Sequence, residues 1–336
     1  MKYGKILLEH GGGGLLSNQL IAEYFLPRFH NPYLERLEDS AVLNIGSQKF
    51  CFTTDSYVVS PVFFPGGNIG SLAVHGTVND LSVCGGVPLY MSAGFILEEG
   101  FSVASLEIII QSMADAAAEA NVKIVTGDTK VVARGAADGI FINTSGIGVV
   151  EYPGVLSVKN IQLGDVIIVN GTIGDHGAAI IQARDNLSLT ADIVSDSAPL
   201  NNLIACILKA SSNVHCMRDA TRGGLGAILA EIAKNANVHI SIDEKSIPLQ
   251  ENVRGVCEIL GFDPLFLANE GKMILFCPKS DADQVLTVMR NHKHGKNAAI
   301  IGIVEDIGIG RVVLKTSIGG ERIVDLPTGE LVPRIC

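Results

Sequence analysis

The apolar runs of this chain are short, and that pattern restricts its fold more than any other feature of the sequence. Hydrophobic residues make up 47% of the 336 residues and charged residues only 18%. Every apolar run is nevertheless broken by Gly, Asp, Asn or Lys, well short of the ~18–20 residues that a membrane span needs. Such a chain is typical of buried sheet layers or of an obligate oligomer. We expect both here.

Strand-like and helical patterns alternate along both halves of the chain. In the first half, the patterns predict strands at 50–54, 89–97, 122–126 and 139–150, and helices at 71–84 and 103–120. Ser71 is the expected N-cap of the first helix, and Gly85 follows its end. In the second half, they predict strands at 166–170, 238–242, 272–277, 298–304 and 311–315, and helices at 177–184, 198–210, 225–236 and 282–291.

This alternation predicts an α/β (α+β) protein with two sheet-containing domains, mixed sheets and flanking helices. Pro153, Gly154 and the segment to Gly164 interrupt the pattern. We therefore predict an N-terminal domain at 1–157 and a C-terminal domain at 158–322. Residues 323–336 carry two prolines and a glycine without periodicity, so we predict a flexible tail there.

Charge and cysteine content exclude some classes of protein. Asp and Glu number 35 against 25 Lys and Arg, whereas a nucleic-acid-binding surface is basic. The seven cysteines form no C-x-x-C pair. The first ten residues hold an apolar core of four residues at most, too short for a signal peptide. These features favour reduced thiols and a cytoplasmic protein.

Four aspartates stand among small polar residues, namely Asp55, Asp80, Asp128 and Asp219. Asp55 and Asp128 are predicted to end strands, Asp219 follows a strand pattern and Asp80 lies in a helix. Carboxylates at strand ends can converge on one crevice and hold Mg²⁺ bound to nucleotide phosphates. The alternative for each aspartate is a turn or capping residue. The chain contains neither of the common glycine-rich phosphate loops.

Three further features leave two interpretations open. Glu270 precedes a strand and is either a turn carboxylate or a functional one. Segment 171–177 joins a strand to a helix, and its N–H groups either bind an anion or form a tight turn. Lys130 is either a surface lysine or, if desolvated, a group that transfers protons.

Cys336 is the last residue of the chain, on the predicted tail. A thiol at the end of a mobile segment is suited to be a covalent carrier, which accepts a group and enters an active site. The alternative is a terminal cysteine without a role.

Motifs that support a family assignment extend over nearly the whole chain. They are HGGGG (10–14), TDSY (54–57), FPGGNIG (64–70), ND (79–80), GFILEEG (94–100), VTGDTKV (125–131), RGAA (134–137), GDHG (174–177), RDATRGG (218–224), ANEGK (268–272) and PRIC (333–336). With them the sequence resembles the HypE family of hydrogenase maturation proteins, in the superfamily of aminoimidazole ribonucleotide synthetase and selenophosphate synthetase. Gly12 departs from the serine that is common in this family.

The resemblance implies a fold and a reaction. The fold has two domains and forms a homodimer through N-terminal strands, with ATP in clefts beside a barrel-like interface. HypF places a carbamoyl group on the C-terminal thiol, and the enzyme dehydrates this thiocarboxamide to a thiocyanate with ATP and Mg²⁺. The cyanide then passes to iron held by the HypC–HypD complex, for the NiFe hydrogenase centre.

The resemblance also implies roles for individual residues. Cys336 is the carrier, and Glu270 and Lys130 are candidates for proton removal and relay. The residues expected to bind the nucleotide are Asp55, Asn79, Asp80, Asp128, Thr129 and Asp219, and the four aspartates among them are the expected Mg²⁺ ligands.

Two alternatives remain open. Another enzyme of the superfamily is the first, but selenophosphate synthetases usually carry a catalytic Cys or Sec in an N-terminal glycine-rich loop, and residues 10–14 contain none. A purine-pathway synthetase leaves Cys336 unexplained. The second alternative is a non-catalytic scaffold for metallocentre assembly, which would show no ATP turnover.

Overall fold

The computed structural model describes residues 4–184, 192–329 and 332–336. These residues form one large sheet in each half of the chain, with helices packed on both sheets. The arrangement agrees with the predicted α/β (α+β) class. The domain boundaries placed after residues 157 and 322 stay predictions.

The first half contains a five-stranded sheet. Its strands and those of a small two-stranded ribbon are β1 (Ala41–Ile45), β2 (Gln48–Tyr57), β3 (Phe63–Phe64), β4 (Gly67–Asn68), β5 (Gly86–Glu98), β6 (Lys123–Val132) and β7 (Ile140–Val150). The order in the sheet is β1-β2-β7-β5-β6, and β3 pairs with β4. All neighbours are antiparallel except β5 and β6, which are parallel. The sequence patterns missed β1.

The helices of the first half are α1 (Leu15–Leu20), α2 (Leu26–Phe29), α3 (Ile69–Val83) and α4 (Val103–Glu119). The α3 helix begins at a capping box, in which the Asn68 side chain accepts N–H bonds from Gly70 and Ser71. The prediction of Ser71 as N-cap was therefore wrong by three residues, because Ser71 is the reciprocal member of the same box. Gly85, with φ +84°, ends this segment as expected.

The second half contains a seven-stranded sheet in the order β14-β13-β10-β12-β8-β11-β9. Its strands are β8 (Val166–Val169), β9 (Cys216–Asp219), β10 (Val238–Asp243), β11 (Met273–Cys277), β12 (Ala299–Ile307), β13 (Arg311–Lys315) and β14 (Glu321–Val324). Its helices are α5 (Asp175–Arg184), α6 (Asn201–Ala210), α7 (Gly224–Ala236), α8 (Glu251–Leu260) and α9 (Lys279–Arg290). The sequence patterns missed β14 and α8, and they placed Asp219 just after a strand, whereas it is the last residue of β9.

The core explains why the chain is so apolar. Every residue of β8 and β11 is buried, because separate apolar clusters cover the two faces of the second sheet. The α3 helix is buried along almost its whole length, since it contacts β2 and β7 on one side and α6 of the other half on another. No helix in the described parts of the chain is long and apolar enough to cross a membrane.

The chain after β14 returns to the first half of the molecule. The Leu15 N–H donates to the carbonyl of Pro327 at 3.0 Å. A Cβ on Gly14 would lie 2.5 Å from the same carbonyl, so only glycine permits this approach. Val332 and Ile335 are buried in one apolar cluster with residues of both halves. The end of the chain is thus packed between the two halves.

Candidate active site

A cleft of about 670 Å³ lies between the two halves of the chain, a volume typical of small-molecule sites. Its walls come from the N-terminal segment, from β2 and α3, and from the end of β9 and α7. Glu270 and Cys336 complete the lining. The candidate carrier and four of the candidate acidic residues therefore share one cavity.

Seven acidic side chains line the cleft: the four singled out in the sequence, Asp55, Asp80, Asp219 and Glu270, together with Glu38, Asp39 and Glu231. Asp55 lies on β2, and Asp80 lies in the last turn of α3. Asp219 is the last residue of β9, which pairs with β11. Glu270 precedes β11, so Asp219 and Glu270 meet at one edge of the second sheet. Two sheets and a helix thus bring together residues that are far apart in the sequence.

Burial dominates the electrostatics of this acidic cluster. It raises the pKa of Asp219 to about 8, with the Asp39 carboxylate adding to the effect. Burial also raises the pKa of Asp80 and of Glu270 well above their ordinary values, and neighbouring carboxylates add to both shifts. The pKa of Asp55 is raised by burial as well. Since the charged forms repel one another and lack water, the cluster favours protons or a cation.

Hydrogen bonds orient part of this cluster. The Thr53 hydroxyl donates to Asp80 at 2.8 Å, and the Tyr57 hydroxyl donates to Asp55 at 3.3 Å. Glu270 is only 2% exposed. Its Oε1 atom is buried and has no hydrogen-bond partner among the described residues, which is costly unless a ligand satisfies it.

Positive charge enters the cleft from the RDATRGG segment. Arg222 donates to the Gly11 carbonyl at 2.9 Å, and its charge offsets part of the rise in the pKa values of Asp55, Asp219 and Glu270. Arg218 forms a buried ion pair with Asp39 at 2.7 Å. Sequence reasoning assigned no role to these two arginines, although both flank Asp219 in a motif that it had singled out.

Cys336 reaches the cleft because the chain end lies along residues 58–60. The Val58 N–H donates to the main-chain oxygen of Cys336 at 2.9 Å, and the Ser60 N–H donates to the Arg334 carbonyl at 3.2 Å. The Cys336 side chain is half-buried against the neighbouring apolar cluster. None of the seven cysteines forms a disulfide bond.

Known proteins match this chain over its full length. The model "AIR synthase related protein, N-terminal domain" matches residues 37–150, and the corresponding C-terminal domain model matches 162–315. The carbamoyl dehydratase HypE of Azotobacter vinelandii is 48% identical over 337 residues, which cover 100% of this chain and 98% of that protein. This chain belongs to the HypE family.

Solved structures of HypE proteins have the same fold. A crystal structure of a HypE–HypF complex contains a chain that is 48% identical, with a TM-score of 0.87, over 92% of this chain and 99% of that one. A crystal structure of HypE in complex with ATP is 46% identical, with a TM-score of 0.83, over 99% and 100% of the two chains. The resemblance stated from the motifs and the predicted fold are both confirmed.

Asp128, Thr129 and Lys130 lie elsewhere, within the exposed strand β6. The Lys130 ammonium pairs with Asp128 at 2.7 Å, both side chains being 69% exposed. None of the three lines the cleft of its own chain. The expectation that Asp55 and Asp128 end strands was wrong, because ladder bonds from neighbouring strands continue through both positions.

Asn79 and the 171–177 segment make contacts within the protein. The Asn79 side chain accepts the Leu200 N–H at 2.8 Å and donates to the Ala198 carbonyl at 3.1 Å. In the 171–177 segment, the Gly174 N–H donates to Asn269 at 2.7 Å and the Gly177 N–H to a main-chain carbonyl. These bonds favour the tight-turn interpretation of that segment over the anion site.

Proposed function

We propose that this chain is an ATP-dependent carbamoyl dehydratase that converts carbamoylated Cys336, a thiocarboxamide, into a thiocyanate. The product supplies the cyanide ligands of the iron in NiFe hydrogenase. The observation that carries the proposal is the presence of Cys336 and Glu270 in the same cleft as Asp55, Asp80 and Asp219, whose pKa values burial raises. A carrier residue must reach the reacting groups, and the position of Cys336 in the cleft lining supports this role.

The residues of the cleft fit Mg²⁺ and the phosphates of ATP. The donor set is carboxylate oxygen, the ligand type that Mg²⁺ prefers. Burial and neighbouring carboxylates raise the pKa values of Asp80 and Asp219, so a cation in the cleft would stabilise their charged forms. No three His, Cys, Asp or Glu side chains form a ready metal site in the described residues. This suits Mg²⁺, which typically takes one or two carboxylates together with phosphate oxygens and water.

The proposed reaction removes the amide oxygen and both N–H protons of the thiocarboxamide. ATP supplies the phosphoryl group that makes this oxygen a leaving group, so that thiocarboxamide and ATP give thiocyanate, ADP and phosphate. Glu270 is the proposed base, because a buried carboxylate with a raised pKa accepts protons strongly once ionised. Asp55, Asp80 and Asp219 are the candidates for the one or two carboxylates that would hold Mg²⁺ on the polyphosphate, beside the charge of Arg222.

We propose a homodimer built on the first sheet. The β6 strand pairs with β5 along one edge among the described strands, which leaves its other edge open to a second chain. Large apolar side chains are exposed on this sheet, namely Phe52, Tyr90, Ile96, Val125 and Val131. A second copy that covers them would also bring its Asp128, Thr129 and Lys130 out of solvent. We therefore assign these three residues, with Lys130 as proton relay, to the assembled dimer.

The partners follow from the same reaction. We propose HypF as the carbamoyl donor and the HypC–HypD complex as the cyanide acceptor. Support for the first comes from the solved HypE–HypF complex, whose HypE chain is 48% identical. Both partners need access to Cys336, so the chain end must leave the cleft during the cycle. Asn79 as a nucleotide ligand and the cytoplasmic location stay predictions.

Mass spectrometry of the C-terminal peptide tests the function. The full chain is incubated with HypF, carbamoyl phosphate, ATP and Mg²⁺. We expect the Cys336 peptide to gain a carbamoyl group and then to lose one water. Cys336→Ala is the matched control, which should bind ATP normally and give neither product. A stable carbamoyl adduct without water loss would contradict the proposal, and absent ATP turnover would favour the scaffold.

A further inference from the structure

The end of the chain is bound through its main chain. The carbonyls of residues 334 and 335 and the oxygen of Cys336 all accept hydrogen bonds from other parts of the protein. A binding site that contacts the main chain is insensitive to what the Cys336 thiol carries. Carbamoylation of that thiol therefore leaves all of these bonds available.

Two of the donors are side chains of α5. The ring Nε2 of His176, in the first turn, lies 2.8 Å from the Ile335 carbonyl. Arg184, at the last residue of the helix, donates to the Arg334 carbonyl at 2.6 Å and to the Ser60 carbonyl at 2.5 Å. Arg184 thus links the chain end to segment 58–60, along which the chain end lies.

The surroundings fix the proton on the His176 ring. Because a carbonyl can only accept, Nε2 must carry hydrogen to bond Ile335. Burial lowers the pKa of His176 and so favours its neutral form, in which Nδ1 accepts. The Ser195 hydroxyl, 2.8 Å from Nδ1, then donates to the ring while it accepts the Ser197 N–H at 3.1 Å.

The loop that orients His176 also holds Glu270. Asp196, which follows Ser195, accepts the N–H groups of Glu270 and Gly271, both at 3.2 Å. It also pairs with the buried ammonium of Lys272 at 2.9 Å. Loop 195–197 therefore places the proposed base and the chain end relative to each other.

We propose that His176 and Arg184 are positioning residues that form a latch on the main chain of residues 334–335. The latch holds the carbamoylated thiol of Cys336 in the cleft beside Glu270. This inference rests on the proposed dehydration. Closing the latch favours dehydration, whereas opening it exposes the thiol to the carbamoyl donor. Weakening the latch should therefore slow dehydration without slowing carbamoylation, whereas a general loss of structure would slow both.

The test measures Cys336 in the full chain with His176→Ala and Arg184→Ala. We expect alkylation of Cys336 by iodoacetamide, read on the C-terminal peptide, to become roughly tenfold faster on loss of a hydrogen bond. Single-turnover conversion of carbamoylated Cys336 to thiocyanate should become slower by a similar factor, roughly tenfold. The rate of carbamoylation by HypF should stay equal or rise. His176→Gln should restore dehydration, since its amide N–H can donate to Ile335.

A histidine far from the chain end provides the control for these variants. His239→Ala removes a histidine of β10 that faces Glu305 at 3.8 Å and lies outside the cleft lining, so all three rates should stay at the wild-type values. Unchanged alkylation in both latch variants, a joint fall of carbamoylation and dehydration, or no rescue by His176→Gln would overturn the latch. If wild type forms no thiocyanate, the proposed function fails, while the alkylation rates still report on the latch.

Discussion

Asp55 and Asp128 lie on opposite faces of one sheet. Ser56, Asn143, Gly94 and Asp128 form one row across β2, β7, β5 and β6. Since successive strand residues point to opposite faces, Asp55 faces the other way from that row. One aspartate lines the cleft, and the other lies on the exposed face that we assign to the dimer.

Because of this difference in face, the aspartates of the motifs TDSY (54–57) and VTGDTKV (125–131) have pKa values that shift in opposite directions. Burial raises the pKa of Asp55, whereas a hydrogen bond from Lys130 lowers the pKa of the exposed Asp128. The residue two positions later shares the face of each aspartate. It is the buried Tyr57 in one strand and the exposed Lys130 in the other. The i+2 residue is thus the local signal that separates the two sites.

The largest effect is expected from Glu270→Gln, on the buried side. Gln matches the shape of the neutral acid, so the variant should fold and bind ATP while it lacks the proposed base. We expect single-turnover formation of thiocyanate to fall by roughly 100-fold or more, measured on the Cys336 peptide.

Carbamoylation of Cys336 by HypF serves as the internal control for Glu270→Gln and should not change. Dehydration within a factor of about two of wild type would remove Glu270 from the role of base.

The second prediction tests whether Lys130, on the exposed face of the first sheet, completes the cleft of a second copy. Lys130→Ala alone should lose most of its dehydratase activity. Lys130→Ala and Glu270→Gln are then mixed in equal amounts, unfolded and refolded together. Half of the dimers that form contain one chain of each variant, and each of these mixed dimers has one intact site. We expect about a quarter of wild-type activity to return in steady-state assays of phosphate release.

Refolded wild type is the reference for this mixture. If the mixture shows only the average of the two separate variants, Lys130 does not act across a dimer. If Lys130→Ala alone is fully active, it has no role in proton relay.

The smallest effect is a pH-dependent change in stability of Asp219→Asn without nucleotide. Asp219 has a pKa of about 8 in the folded protein, against an ordinary value of 3.8. Between these values the unfolded chain has lost the proton and the folded protein keeps it, so stability falls as pH rises. The variant removes this loss, and its melting temperature relative to wild type should be higher by several degrees at pH 8 than at pH 4.5.

Asp128→Asn is the matched control on the opposite face. In the wild-type protein the pKa of Asp128 is lowered and its side chain is exposed. The stabilisation that its charge contributes is therefore present above pH 3.8 and is screened by solvent. We expect calorimetry to show no comparable rise in the melting temperature of Asp128→Asn relative to wild type at pH 8. A rise as large as that of Asp219→Asn would mean that burial does not separate the two sites.

Much of the fold could be predicted from the sequence because its helices and strands have a clear periodicity of apolar residues. The long helices α3 and α4 and the apolar strands β8 and β11 were predicted within a few residues. The missed elements have weak local signals. The edge strand β14 reads Glu-Arg-Ile-Val and forms its ladder with β13. Arg222 was missed as a site residue for a related reason, since its partner Gly11 is 211 residues away.

The sequence alone determined the family, the two-half α/β class and the candidate carrier at Cys336, because motifs, periodicity and chain position are local properties. Only the tertiary structure decided which aspartates meet, since this depends on the face that each strand presents and on the partner of each strand. It also placed the chain end against α5 through main-chain bonds that no residue pattern encodes. Contacts between distant segments depend on packing of both halves, and they define the site.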